Sequence, residues 1–459
     1  MTENVPLVFG VLDEFSVGGG GAATLWTHPR DQRLDANSLR YWVDLAATAE
    51  QANLDLLFLG DVLGLYDTYG GNHHAAVKWA IEAPANDPAI LVAALASATE
   101  HLAFTVTSST TYEDPFNLAR RFSTLDHLSD GRFGWNVVTS YLRSAAHNFG
   151  LTQVVDHSER YARAEEFLDV VYKLWEGSWA DDAVIADKKS QTYAQGDRVR
   201  PINHVGDRFS VAGPHVSAPS AQRTPVIFQA GNSQRGRQFG GRHAEIIFTG
   251  DTDPRALNSN LTTVREIAVA EGRSPEHVNV MAGFSVIVGK TEIDAQKKLD
   301  ELQDSYHIDG VLANYAGTIG VDLSRLADSE PIPAGDGADS WVLRSDGSGE
   351  PATVAYLRDR LGKVATRRDA VFIGTPSKVA SQIADHASIS GARAYMLLQQ
   401  IGRESLDDFA NLVAPELVSR GLLRNDPPTG TLRSRLTPTV GDRLPAESYA
   451  ARYRFPHPL

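Results

Sequence analysis

The chain has 459 residues, 42% of them apolar and 22% charged, with a formal net charge of −14 and no cysteine. That balance is ordinary for a globular protein, and the length suits one large (β/α)8 barrel carrying insertions. The acidity argues against a nucleic-acid or anionic-membrane surface, and the missing thiols exclude disulfides, thiolate metal sites and cysteine nucleophiles.

No uncharged run reaches the roughly 18 residues that a bilayer span needs. Residues 1–6 show no basic segment leading into an apolar stretch, so the expectation is a cytoplasmic chain. The first apolar run is 8–13. Helix-period residues Trp42, Leu45, Ala49 and Ala52 follow, with Ser38 as N-cap. Further strand-like runs are 56–61 (LLFLGD), 103–110 (AFTVTSST), 133–140 (FGWNVVTS), 225–231 (PVIFQAG), 245–250, 278–289 and 392–400, with helical patterns between them. Most are almost continuously apolar, as parallel strands buried on both faces must be. Eight such runs alternating with helices predict a single α/β barrel domain over 1–459.

Three stretches break the rhythm. Residues 177–222 are long and polar, and 306–349 are rich in Gly, Asp, Ser and Pro. Both are expected to be insertions, the second a lid. The tail 424–459, with Pro427, Pro428, Gly430 and many arginines, is expected to wrap the surface or a partner subunit. The glycine run 18–21 lacks any nucleotide-binding spacing and reads as a flexible first βα loop.

In a barrel, ligands meet the C-terminal ends of the strands. Those ends carry Asp61, Thr107 through Tyr112, Asn136 through Tyr141, and the turn 231–236. His157 and Tyr161 lie four apart at the start of a strongly helical segment, where free N–H groups and a positive dipole end suit a phosphate. A capping histidine and a core tyrosine would give the same spacing. Ser233 and Gln234 sit in the glycine-flanked turn Gly231-Asn232-Ser233-Gln234-Arg235-Gly236, which is either a phosphate cradle or an ordinary βα turn. His73 and His74 have no third ligand at metal spacing, so no metal site is expected.

The stretches LLFLGD, STLDHLSDGRFGWNVVTS, HSERYARAEEFLDVVYKLW, TPVIFQAGNSQRGRQF and GTPSKVA resemble the luciferase-like flavin monooxygenases. The resemblance is to the branch of the nitrilotriacetate, dibenzothiophene-sulfone and long-chain alkane monooxygenases. It implies a homo-oligomeric TIM barrel that takes reduced FMN from a separate NAD(P)H flavin reductase and uses O₂ on a small organic molecule. It also implies that Asp61, Thr107 and Asn136 line the isoalloxazine, while His157, Tyr161, Ser233 and Gln234 hold the ribityl phosphate. Trp26, Tyr66, Tyr69 and Tyr112 are expected as pocket walls, and Tyr141 as the group that hydrogen-bonds substrate or activated oxygen.

The chain departs from the alkane-oxidising members in two places. Tyr141 stands where they have a histidine, and residues 15–21 stand where they carry a cysteine and histidines. Both lie where substrate belongs. A heteroaromatic substrate such as riboflavin, which a lyase of the same branch cleaves, is therefore an alternative to an alkane. A flavin- or deazaflavin-linked dehydrogenase and a non-catalytic flavin-binding protein are the competing classes.

Overall fold

The structure is a computed structural model that describes residues 6–19, 24–231, 233–333, 351–364, 370–437 and 439–455. Its main sheet contains β1 (Val8–Glu14), β2 (Leu56–Gly60), β3 (Ala103–Ser109), β4 (Phe133–Val138), β5 (Val226–Gln229), β6 (Ile246–Thr249), β7 (Asn279–Val288), β8 (Ala370–Gly374) and β9 (Ala394–Leu398). β1 through β7 pair in chain order, β7 pairs with β9, and β9 pairs with β1, all in parallel. The eight runs read from the sequence are the eight strands of this closed ring.

β8 is additional and was not among those runs. Among the described residues it pairs only with Phe284 through Val288, the outer half of β7. β7 is ten residues long and buried throughout, so it serves the ring with one half and β8 with the other.

Alternation along the strands sorts the interior from the helix-facing side. Val8, Leu56, Phe58, Val226, Phe228, Met281 and Met396 pack together inside the ring. Residues of the opposite parity, such as Phe9, Leu57, Phe104 and Trp135, join the surrounding helices in a larger core. Leu39–Gln51 is one of these helices and buries Trp42, Leu45 and Ala49 as its period requires; Ser38 stands at its N-cap without a side-chain bond.

The polar excursion 177–222 holds two short antiparallel ladders, Val184–Asp187 with Thr192–Ala194 and His204–Val205 with Ser210–Val211. The expected lid is largely something else where it is described. Ile308–Ile319 is a helix with nine buried residues, and it packs on Tyr66, Ala76 and Leu357. Positions 334–349 lie outside the described residues.

Two other expectations need correction. The first βα loop begins packed, not flexible. Ser16 bridges to Ala85, and a Cβ on Gly18 would come within 1.4 Å of the Ala80 carbonyl oxygen. Its residues 20 and 21 lie outside the described set. The tail does not merely wrap the surface. Leu432 enters the ring interior at its N-terminal end, next to Gly134. Beside it the fully buried Arg433 makes a two-pronged contact with Glu245, at 2.7 and 3.1 Å. Among the described residues no helix is long and apolar enough to cross a membrane.

Candidate active site

Two helix starts meet at the C-terminal end of β5. One helix, His157–Tyr172, begins with Asp156 accepting from the Ser158 N–H at 2.9 Å. The other, Gln234–His243, begins with Ser233 Oγ accepting from the Gly236 N–H at 3.0 Å. Ser233 Oγ lies 3.4 Å from His157 Nε2. Tyr161, 5% exposed, stands one turn into the first helix, and Gln229 Nε2 of β5 donates to its hydroxyl at 3.5 Å. Burial raises the Tyr161 pKa, which keeps the hydroxyl a donor.

At Gly231 and Gly236 the backbone leaves room for nothing larger than hydrogen. A Cβ on Gly231 would lie 2.4 Å from the Tyr161 hydroxyl, and one on Gly236 would lie 2.9 Å from it. His157, Tyr161 and Ser233 thus converge from separate elements. Gln234 contributes its place in the first helical turn, while its side chain is exposed.

Glu165 ties the two helices together one turn deeper. Its carboxylate accepts from Arg235 at 3.0 Å, Arg242 at 3.2 Å and His243 Nε2 at 2.8 Å.

A second group gathers inside the ring mouth. Asn136 and Thr107 are register neighbours on β4 and β3, and Asn136 Nδ2 donates to Thr107 Oγ1 at 2.9 Å. Asn136 Oδ1 is buried and has no hydrogen-bond partner among the described residues, as has Gln229 Oε1. Buried amide oxygens in that state await a donor. Thr107 and Asp61 line a cavity of about 380 Å³ together with Glu82, Asp87, Glu113 and Arg121. Burial there, aided by the charges of Asp87 and Glu113, pushes the Asp61 carboxyl up to about 7.

The aromatic residues divide. Tyr141 and Tyr66 touch hydroxyl to hydroxyl at 2.8 Å, and Tyr66 donates to Glu82 Oε2 at 2.8 Å. Tyr141 is 42% exposed, whereas Tyr66 is buried. Tyr112 stacks on Phe149, with ring centroids 4.5 Å apart. Trp26 is tied by its indole N–H to the Trp79 carbonyl at 2.9 Å. Tyr69 sits in the turn Tyr69–Gly71 near Asp309 and Arg358. None of Trp26, Tyr66, Tyr69, Tyr112 and Tyr141 borders the cavity beside Asp61; Tyr66 is joined to it through Glu82, which does.

Glu82, Asn314 (whose Nδ2 donates to Glu82 Oε1 at 3.1 Å), Gln229 and Glu165 were not singled out from the sequence. Gln229 carried the one usable signal, an amide ending an otherwise apolar strand.

The model of the luciferase-like monooxygenase family matches residues 19–393. The long-chain alkane monooxygenase of Geobacillus thermodenitrificans is 43% identical over 441 residues, covering 96% of each chain. A crystal structure of long-chain alkane monooxygenase superposes with a TM-score of 0.92 at 42% identity, covering 99% of this chain and all of that one. A crystal structure of a riboflavin lyase, described with modified FMN and its substrate riboflavin, superposes with a TM-score of 0.90 at 36% identity, covering 98% and 99%. With the barrel, its polar mouth and these likenesses together, the chain belongs to the luciferase-like monooxygenases, a family of flavin-dependent oxidoreductases.

Proposed function

We propose that this chain is the oxygenase of a two-component system, binding FMN that a separate NAD(P)H reductase has reduced and using O₂ to oxidise or cleave a polar organic molecule. The observation that carries the cofactor assignment is the convergence of His157, Tyr161 and Ser233 on two helix N-termini, with Gly231 and Gly236 packed close to the Tyr161 hydroxyl. A phosphate dianion there meets two positive dipole ends and three side-chain donors. Asn136 and Gln229 supply buried amide oxygens with acceptor capacity to spare, which suits a ring system bearing N–H groups. Reduced flavin supplies the electrons and activates O₂; the chain's own residues bind, orient and exclude water.

The cavity beside Asp61 favours a polar substrate over an alkane. Four carboxylates, Asp61, Glu82, Asp87 and Glu113, border its 380 Å³. An alkyl chain there would displace water from this acidic border without replacing the hydrogen bonds that the water makes, which is unfavourable.

Titration of FMN and riboflavin against His157→Ala, Tyr161→Phe and Ser233→Ala tests the phosphate assignment. Charge-assisted hydrogen bonds contribute about 1.5–3 kcal/mol each, so each variant should weaken FMN by roughly ten- to a hundredfold. Riboflavin has no phosphate and should lose far less. Equal losses for both flavins would refute the assignment. Product formation that needs O₂ and an added flavin reductase tests the monooxygenase half; substrate oxidation under nitrogen would instead identify a dehydrogenase.

A further inference from the structure

A tyrosine hydroxyl has one hydrogen to give, so how Tyr161 serves the phosphate end depends on what stands behind its oxygen. Gln229, the last residue of β5, stands there. Two residues earlier on the same face of the strand, Ile227 joins the apolar core. Gln229 thus places an amide where the strand otherwise buries hydrocarbon. Burying an amide is unfavourable unless it finds a hydrogen-bond partner. Gln229 is 3% exposed, and its Nε2 donates to the Tyr161 hydroxyl at 3.5 Å.

Gly231 shows how closely the pair is set. A Cβ there would stand 2.3 Å from Gln229 Nε2 and 2.4 Å from the Tyr161 hydroxyl, so both polar atoms lie against one point of the turn. Tyr161 also hydrogen-bonds with the Ser233 side chain, which belongs to the start of the neighbouring helix. With the Gln229 amide N–H donating from behind, the Tyr161 hydrogen is turned toward Ser233 and the place proposed for the phosphate. An amide turned the other way would offer Oε1 to Tyr161, take that hydrogen, and leave an oxygen lone pair facing a dianion.

We propose that Gln229 is a positioning residue that fixes Tyr161 as a hydrogen-bond donor to the flavin phosphate. The proposal rests on the reading that His157, Tyr161 and Ser233 hold that phosphate. Tyr161 touches the flavin in it, and Gln229 acts through Tyr161.

The test is the ratio of FMN affinity to riboflavin affinity, read by flavin fluorescence titration on the full chain. General damage to folding lowers both affinities, whereas a lost phosphate donor lowers the ratio. Tyr161→Phe should reduce the ratio by roughly ten- to a hundredfold, the worth of one charge-assisted hydrogen bond. Gln229→Met keeps the length of the side chain but has no N–H to give. It frees the hydroxyl to turn and should reduce the ratio by about three- to tenfold, the worth of one neutral hydrogen bond. Gln229→Leu should give a similar fall, so the outcome does not depend on how one variant packs. In the Tyr161→Phe background, Gln229→Met should change the ratio by less than about twofold, because the group it acts through is gone. An equal fall in both backgrounds overturns the proposal. So does an unchanged ratio in Gln229→Met and Gln229→Leu. A rise in the ratio in those two variants would show the amide oxygen facing Tyr161 and also overturns it. In each of these cases a fall in Tyr161→Phe leaves the phosphate reading standing. A ratio indifferent to Tyr161→Phe removes that reading and the proposal with it.

Discussion

Replacing Glu165 by glutamine should loosen the proposed phosphate end of the site while leaving His157, Tyr161 and Ser233 themselves unchanged. Glu165 lies on the inner side of His157–Tyr172 and accepts from three donors of Gln234–His243 and its last turn, Arg235, Arg242 and His243. Burial alone would raise its carboxyl. The hydrogen bond and charge of His243, then the charges of Arg242 and Arg235, bring it down to about 2 instead. That is about 2.5 units below 4.5, or roughly 3 kcal/mol in favour of the ionised folded state. Burial lowers the His243 pKa, so near neutral pH His243 is uncharged and its share is the hydrogen bond only. About 2 kcal/mol is the appropriate figure.

A depressed carboxyl contributes stability that is present above the unfolded pKa and is lost as pH falls toward the folded one. The Glu165→Gln deficit should therefore be full at pH 7 and shrink between about pH 4.5 and 2. Over 459 residues, an unfolding entropy of roughly 2 cal/mol/K per residue makes 2 kcal/mol a fall of about 2 °C in Tm. Thermal unfolding of wild type and variant at pH 7 and pH 4, with FMN titrations alongside, checks both parts. The variant should also bind FMN less tightly, because the two helix starts are no longer held in register. A variant within 0.5 °C of wild type at pH 7, with unchanged FMN affinity, would show that the clamp does not hold the helices.

Asp61→Asn should have the opposite sign of pH dependence. The folded state holds the Asp61 proton up to about 7, so ionisation favours the unfolded chain and stability is lost as pH rises from about 4 to 7. The asparagine variant should match wild type at pH 4 and exceed it by one to a few kcal/mol at pH 8, as read by urea denaturation; an equal gain at both pH values would contradict the assignment. Leu432→Ala, at the N-terminal end of the ring, should cost about 2–5 kcal/mol. Arg433→Ala, which strands a buried Glu245, should cost about 3–5 kcal/mol. Both should leave FMN affinity per folded molecule unchanged, and a selective loss of flavin would tie the tail to the site.

The ring was legible because a parallel strand covered on both faces must be apolar along its length, and few other elements look like that. β8 escaped for the same reason inverted. It is five residues long with alternating burial, and only half of β7 demands it. Ile308–Ile319 was absorbed into the lid because the whole stretch 306–349 is rich in Gly, Asp, Ser and Pro, and Gly310 and Gly317 belong to that composition. In the folded chain they are contact points, where a Cβ would lie 2.3 Å from Thr24 Cγ2 or from Tyr66 Cδ1. Spacing cannot tell a glycine used for freedom from one used for proximity. His157 and Tyr161 were visible as a helical pair. Glu82 and Asn314 were not, since they are 232 residues apart and only the closed barrel brings them together.

On the proposed reading, the phosphate end is built from two helix starts and the side chains of His157, Tyr161 and Ser233 rather than from arginines, and this fits a cofactor that arrives and leaves with each turnover. The arginines around it are engaged elsewhere: Arg235 with Glu165, Arg160 with the Val155 carbonyl, Arg163 with the Thr110 carbonyl. Two helix dipoles and hydroxyl or imidazole groups hold a dianion well when it is aligned, yet give little long-range attraction through salt solution. A chain of net charge −14 with a carboxylate-lined cavity repels a flavin phosphate presented the wrong way round. With FMN bound as proposed, orientation would be set by repulsion at one end and by local hydrogen bonds at the other, and release would need only those local bonds to open. A cluster of unpaired arginines would have bound FMN more tightly. It would also have slowed the exchange of flavin with the reductase on which a separate oxygenase depends.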